Sequence, residues 1–304
     1  MNQPLFSILC TNFNNGRYIG EMIQSVLAQT YTNWELVIVD DASTDDSIER
    51  VRPFLVDERI RLEVLNQNIG AGGAVAVAAD LAAGKLMGRL DADDALPLHA
   101  LETMVLAHQE NPDAALITSY VTPCDEMLVP IEVNWVKYKA IGNGSCILKS
   151  PTVGAFASFK RAGFQKTSGF DRTYKRAVDL DIYLKLEEVG SVVTLEKQLY
   201  LYRRNPNGIS QGSNGILAKQ YAYLAQIDAY KRRRRSDFHC NWTSREACEA
   251  SLKCFQSRVH NQGTGWRIVC KEFWNAIKRT SWLAFSIVLY RNAISAIVRS
   301  IKTS

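Results

Sequence analysis

Short β-rich apolar runs alternate with segments of helical periodicity through the first half of this chain, a pattern that commits it to an α/β sheet rather than a bundle or a sandwich. Leu5 to Cys10, Leu36 to Asp40, Arg61 to Leu65, Leu86 to Leu90 and Ala114 to Ser119 read as strands. Between the first two, Ile19, Met22, Ile23, Val26 and Leu27 recur at helical spacing, so one face of that segment packs on the sheet. Ser43-Thr44-Asp45-Asp46 has capping-box spacing and predicts a helix just after the Leu36 strand, with Ser43 as N-cap. Further helices are expected over Gly70 to Gly84, over Pro97 to Glu110 and over Asp179 to Val189. Irregular strands and loops are expected from Val121 to Gly154, and a strand from Thr194 to Arg203 before the turn-rich Asn205-Pro206-Asn207-Gly208. Beyond about residue 215 the pattern is helical only, which places a boundary near Gly212 to Gly215.

Chemistry is concentrated where strands end. Leu90-Asp91-Ala92-Asp93-Asp94 puts three carboxylates at the close of an apolar strand, and ligands of open α/β sheets bind beyond the carboxyl ends of the strands. Two carboxylates one residue apart can hold Mg²⁺ or Mn²⁺, whose shell is completed by water and substrate phosphates. A solvated turn with helix-capping aspartates is the plainer account, and Asp94 before Pro97 suits it. Val39-Asp40-Asp41-Ala42-Ser43-Thr44-Asp45 ends a second strand. A carboxylate there can accept from the N3–H of uracil, or again cap a turn. Cys10-Thr11-Asn12-Phe13-Asn14-Asn15-Gly16 follows the first strand, where polar backbone and Phe13 could meet a base. Two acidic clusters on separate strand ends would meet over one crevice.

These segments, in order, resemble the family 2 glycosyltransferases over roughly residues 4 to 212. The resemblance rests on Ser7 to Asn14, Ser25-Val26-Leu27-Ala28-Gln29-Thr30, Glu35 to Asp45, Asn68-Ile69-Gly70, Asp91-Ala92-Asp93-Asp94, Gly169-Phe170-Asp171 and Asp179-Leu180-Asp181. It implies a GT-A fold: a mixed, mostly parallel sheet flanked by helices, here with a C-terminal all-helical extension. Residues 1–214 would form the catalytic domain, with a nucleotide-sugar half at 1–95 and an acceptor half at 96–214, and residues 215–304 the extension. The activity implied is an inverting transfer from a nucleotide-diphosphate sugar, usually UDP-linked, to a glycan or lipid-linked acceptor. Carried over by position, Thr11, Phe13 and Asp41 would hold the base, Asp91 and Asp93 the ribose and metal, and Asp179 would be the catalytic base, with Asp181 as runner-up. Four positions depart from the family pattern. Val178 stands where an acidic residue is usual, Val75 and Ala76 where Arg-Asn is frequent, Cys10 where proline is frequent, and Asn205 where a histidine often reaches the metal or diphosphate. Arg203 or Arg204 could replace that histidine.

The net charge of +5 is uneven, with Lys231 to Arg235 and the last forty or so residues carrying much of the excess, so anionic partners are expected. The apolar stretch Trp282 to Tyr290 is far shorter than the roughly twenty residues that span a bilayer. A basic amphipathic helix on a membrane surface and a helical extension packed on protein are both open readings of the tail. No nucleic-acid motif accompanies the arginines, so nucleic acid is not an expected partner. The seven cysteines include no Cys-x-x-Cys pair and read as reduced thiols, and Met1-Asn2-Gln3-Pro4 does not open a secretion signal, so a cytoplasmic placement is expected. A dinucleotide-dependent oxidoreductase is set aside, because no Gly-x-Gly-x-x-Gly follows the first strand. A sugar-nucleotide-binding protein of the same fold without activity, or a membrane-surface adaptor, remain as alternatives.

Overall fold

The computed structural model describes residues 3–131, 146–148, 153, 156–205, 208 and 215–233. The chain divides into two compact units, Met1–Pro206 and Asn207–Ser304. In the first, β1 (Phe6–Asn12), α1 (Gly16–Leu27), β2 (Trp34–Asp40), α2 (Ser47–Val51), β3 (Ile60–Val64), α3 (Gly70–Leu81), β4 (Leu86–Arg89) and α4 (Ala100–Glu110) alternate. They are followed by β5 (Ala114–Cys124), β6 (Ala157–Lys160), the single turn α5 (Arg161–Phe164), α6 (Val178–Glu187) and β7 (Ser191–Arg203). In the second unit α7 (Gly215–Arg233) is described. The basic aromatic stretch Trp266 to Ile301 lies outside the described residues, and among those described no helix is long and apolar enough to cross a membrane.

The seven strands form one sheet in the order β3-β2-β1-β4-β6-β5-β7. It is parallel except at β6, which runs antiparallel to both β4 and β5. Strand alternation divides the apolar residues between two faces. Phe6, Ile8, Leu36 and Ile38 pack on one side with Ile19, Met22, Ile23 and Val26 of α1 and Leu101, Met104 and Val105 of α4. Each such side chain, fully buried, contributes about 1.5–3 kcal/mol relative to exposure. Alanine-rich α3 covers the opposite face at β1 and β2. Val75 and Ala76 are buried there, so small apolar packing occupies the place where the family often has Arg-Asn.

The helix expected after Ser43 starts later, at Ser47, and without a side-chain cap. Ser43 Oγ instead accepts from Asn12 Nδ2 at 3.1 Å and Asn14 N at 2.9 Å, while Asp45 accepts from Gly16 N at 2.9 Å and Ser47 N at 3.0 Å. Those donors on the β1–α1 loop outcompete a local capping box, and they lock the loops after β1 and β2 together. β6 was not expected, because four residues between irregular segments carry too little periodicity to register. Cys10 and Cys124 are free and buried, whereas Cys146 is held in a disulfide, which corrects the expectation of seven reduced thiols.

His108 on α4 is buried, with Nε2 3.0 Å from Ser158 Oγ on β6. Burial lowers its pKa from 6.5 to about 4, and Lys160 acts in the same direction. Below pH 6.5 the unfolded chain therefore takes up a proton here that the folded chain refuses until about pH 4. Stability is expected to fall as pH drops through that window, by up to about 3 kcal/mol from this group. Thermal unfolding midpoints measured from pH 7 to 4.5 should decline less steeply in His108→Gln than in the parent chain.

Candidate active site

Three neighbouring strands, β2, β1 and β4, end at the same edge of the sheet. Asn12 pairs in register with Asp40, and Leu90 N continues the β4 ladder to Leu9 O at 3.0 Å. Asn12 Nδ2 donates to Asp40 Oδ2 at 2.7 Å, so this buried carboxylate braces two adjacent loops. Asp41 turns the other way. Its oxygens accept from Ile69 N at 2.7 Å and Gly70 N at 2.9 Å, at the start of α3, where the helix dipole favours a negative charge. Gly70 holds φ +81° there, a left-handed conformation that costs glycine little. Burial raises the Asp41 pKa, and the two backbone donors pull against it. Thr11 is half-buried beside this edge, and Phe13 is 46% exposed.

The Asp91–Asp94 turn follows β4 and is tied to β7 on the far side of the sheet order. Ala95 and Leu201 exchange backbone hydrogen bonds at 3.2 and 2.9 Å. Asp94 is buried and accepts from Tyr200 Oη and Arg203 N, both at 2.7 Å. Burial pushes its pKa well up, with Asp93 and Asp91 pushing the same way, and these two donors oppose the shift. Arg203 is fully buried. Its Nε donates to Asp93 O at 2.6 Å, Nη1 to Glu126 O and Nη2 to Glu21 at 2.7 Å, while the guanidinium lies 4.5 Å from the Tyr18 ring centre. These protein acceptors engage all three nitrogens of the Arg203 guanidinium. Asn205 donates to Asp93 Oδ2 at 2.9 Å.

Asp179 enters from α6, whose N-cap Ala177 is left-handed at φ 53°. The guanidinium of Arg89, the last residue of β4, donates through Nη2 to Asp91 Oδ1, and its Nη1 lies 4.0 Å from Asp179 Oδ2. The β4 turn and the start of α6 thus face one another, with Asp179 41% exposed and Asp91 35% exposed. Burial raises the Asp91 pKa, Arg89 opposes this, and the negative charges of Asp93 and Asp179 add to it. Asp181, the runner-up base, is 2% exposed and paired with Lys185 Nζ at 2.6 Å inside the same helix. Val178 is buried as well, so the position that is usually acidic in the family is used here for packing.

Asp91, Asp93 and Asp179 therefore come together, while Thr11, Phe13 and Asp41 line the adjoining strand ends. Among the described residues no three His, Cys, Asp or Glu side chains converge to cage a metal ion by themselves. Among the described residues Asp93 Oδ1 has no hydrogen-bond partner, so the donor set suits a cation held by one or two carboxylates and otherwise by ligand oxygens. Sequence reasoning passed over Arg89 and Tyr200. A charged residue closing an otherwise apolar strand was the available signal for Arg89, and Tyr200 looked like any core aromatic.

The glycine-rich start of α3 is explained by close approach. Gly72 N donates to Tyr174 O at 2.9 Å, and a Cβ on Gly72 would lie 2.3 Å from Asp171 O and 2.5 Å from Tyr174 O. Both are backbone atoms of the turn that leads into α6. Gly72→Ala is expected to destabilise the chain by roughly 1–3 kcal/mol in urea unfolding. Gly163→Ala, whose Cβ meets nothing closer than 3.9 Å, should stay within about 0.5 kcal/mol of the parent.

Comparison with known proteins gives this crevice its context. The model of "Glycosyl transferase family 2" matches residues 7–167. The chain is 31% identical over 221 residues to a chondroitin synthase of Escherichia coli, covering 71% of this chain and 30% of that protein. It is 28% identical over 219 residues to a hyaluronan synthase of Pasteurella multocida, covering 71% of this chain and 21% of that one. The chain thus spans less than a third of these relatives' length. Among solved structures, S. aureus TarS 1-349 in complex with UDP-GlcNAc superposes with a TM-score of 0.73 at 17% identity, covering 97% of this chain and 88% of that chain. A mannosyltransferase of Pyrobaculum calidifontis in complex with GDP-Man and Mn²⁺ gives a TM-score of 0.56 at 15% identity, covering 99% and 88%. The sheet is that of the GT-A fold, and with more than half of its residues matched by the family model, the chain belongs to glycosyl transferase family 2.

Proposed function

We propose that this chain moves a sugar, with inversion at the anomeric carbon, from a UDP-sugar to a hydroxyl of a glycan or lipid-linked saccharide. The observation that carries the reading is the approach of Asp179 on α6 to the carboxylate turn after β4, with Arg89 reaching both sides. An inverting transfer is one in-line displacement through an oxocarbenium-like state, so a carboxylate must take the acceptor proton on the face opposite the departing diphosphate. Asp179 is the assigned base. Its partial exposure lets an acceptor reach it, and the rigid first turn of α6 holds it.

On the donor side, Thr11, Phe13 and Asp41 hold the base, with Asp41 receiving the uracil N3–H on lone pairs left over from its two backbone donors. Asp91 and Asp93 hold the ribose and a Mg²⁺ or Mn²⁺ ion, with Asp93 Oδ1 as the open protein donor and Asn205 fixing the other oxygen. Such an ion, when bound, offsets charge developing on the diphosphate. The relatives named for synthesising chondroitin and hyaluronan, and the solved structures holding UDP-GlcNAc or GDP-Man with Mn²⁺, support the donor and acceptor classes. Residues 1–95 are assigned to the donor, 96–214 to the acceptor and 215–304 to an accessory extension. Cytoplasmic placement and contact with a membrane surface through that extension belong to the same proposal.

The test is release of nucleoside diphosphate from a panel of UDP-, GDP- and CDP-sugars, with and without EDTA. A uridine donor is expected to win and chelation to abolish turnover; a guanosine or cytidine preference overturns the role of Asp41. Asp179→Asn should lower kcat by about 10²–10⁴-fold while UDP binding, followed by calorimetry, persists. Retained turnover in that variant would point to another base, whereas a parent chain that binds UDP but turns over no donor would leave a nucleotide-sugar-binding role.

A further inference from the structure

Arg89 faces both halves of the proposed chemistry, and nothing in the donor or base assignments requires it. It closes β4 with its side chain only 12% exposed. Nη2 donates to Asp91 and Nη1 faces Asp179 at 4.0 Å, while Nε is buried with no hydrogen-bond partner. Asp91 and Asp179 belong to a strand end and a helix start far apart in sequence, and two carboxylates brought this close repel one another. A planar guanidinium with donors on separate nitrogens can face two carboxylates at once, which a lysine ammonium, a single point of charge, does less well. The contact to Asp179 uses Oδ2, which leaves Oδ1 for an acceptor hydroxyl.

We propose that Arg89 is a positioning residue for transfer: its guanidinium, wedged between Asp91 and Asp179, sets the distance from the base to the donor edge. This rests on the reading of Asp179 as base. Arg89 forms and breaks no bond. Its effect is to hold one carboxylate against the other, so that the acceptor oxygen and the anomeric carbon meet at attacking distance.

The test is a double-mutant cycle in the full chain, with turnover followed on whichever of UDP-glucose, UDP-GlcNAc and UDP-glucuronic acid gives the highest rate. Calorimetric UDP binding supplies the folded, competent fraction. Arg89→Met is expected to lower kcat per UDP-binding site about ten- to hundredfold. In an Asp179→Asn background the same change should cost less than about threefold more, because a brace has nothing left to position. Equal losses in both backgrounds overturn the proposal and assign Arg89 to the donor instead. Arg89→Lys, measured alongside, covers a methionine variant that fails to fold; it should fall well below the parent rate, and a parental rate shows that charge alone suffices and overturns the brace. If Asp179→Asn is inactive while Arg89→Met turns over normally, the base stands and only the brace is lost. If Asp179→Asn itself turns over normally, the base assignment fails and the brace falls with it.

Discussion

A carboxylate in a protein interior needs donors, and Asp94 takes both of its own from β7. Without Tyr200 Oη and Arg203 N it would be an unpaired buried charge, a penalty of several kcal/mol. Those two bonds, with the Ala95–Leu201 bridge, stitch the turn after β4 to a strand three places away in the sheet. The positions of Asp91 and Asp93 follow from that stitch. Arg203 extends it, reaching Asp93 O, Glu21 on α1 and Glu126 beyond β5, so one buried guanidinium gathers the donor-side turn, the first helix and the segment after β5.

Around this frame the crevice carries an excess of negative charge. Asp91, Asp93, Asp94 and Asp179 lie close enough that burial and mutual repulsion raise the pKa values of Asp91 and Asp94. Arg89 and Arg203 answer that charge from below, through donors aimed at carboxylate and carbonyl oxygens. An acidic site braced by buried cations is suited to partners that bring both a metal and a diphosphate, because the ion and the phosphates then complete the neutralisation. The start of α3 contributes in a different way: Asp41 accepts its first backbone N–H groups, and Gly72 lets the 171–174 turn approach within hydrogen-bonding distance, which sets where α6 begins.

Much of the sheet was legible because periodicity reports burial. Strands with apolar residues on both faces and helices with one apolar stripe can be recognised from spacing alone, and β1 to β5 lie within a few residues of their expected ranges, although β5 continues to Cys124. β6 escaped notice because it is short and its partners come from distant positions in both directions. The Ser43 capping box failed for a related reason. Its local bonds competed with donors from the β1–α1 loop, and only the folded chain brings those donors near. At the site, spacing flagged the aspartates, and the family resemblance named Asp179 as base with Asp181 as runner-up. Their separation is a matter of helix rotation: one faces the crevice, and the other is paired with Lys185 in the interior.

By itself the sequence determined the α/β class, the order of its elements and the family, because these depend on residue patterns and ordered motifs that a linear string contains. The tertiary structure decided which carboxylates share a crevice, which are braces, and that Arg203 is walled in while Asn205 reaches Asp93. Those outcomes depend on hydrogen bonds and charges between residues about a hundred positions apart, whose proximity exists only once the sheet has assembled and the solvent between them has gone.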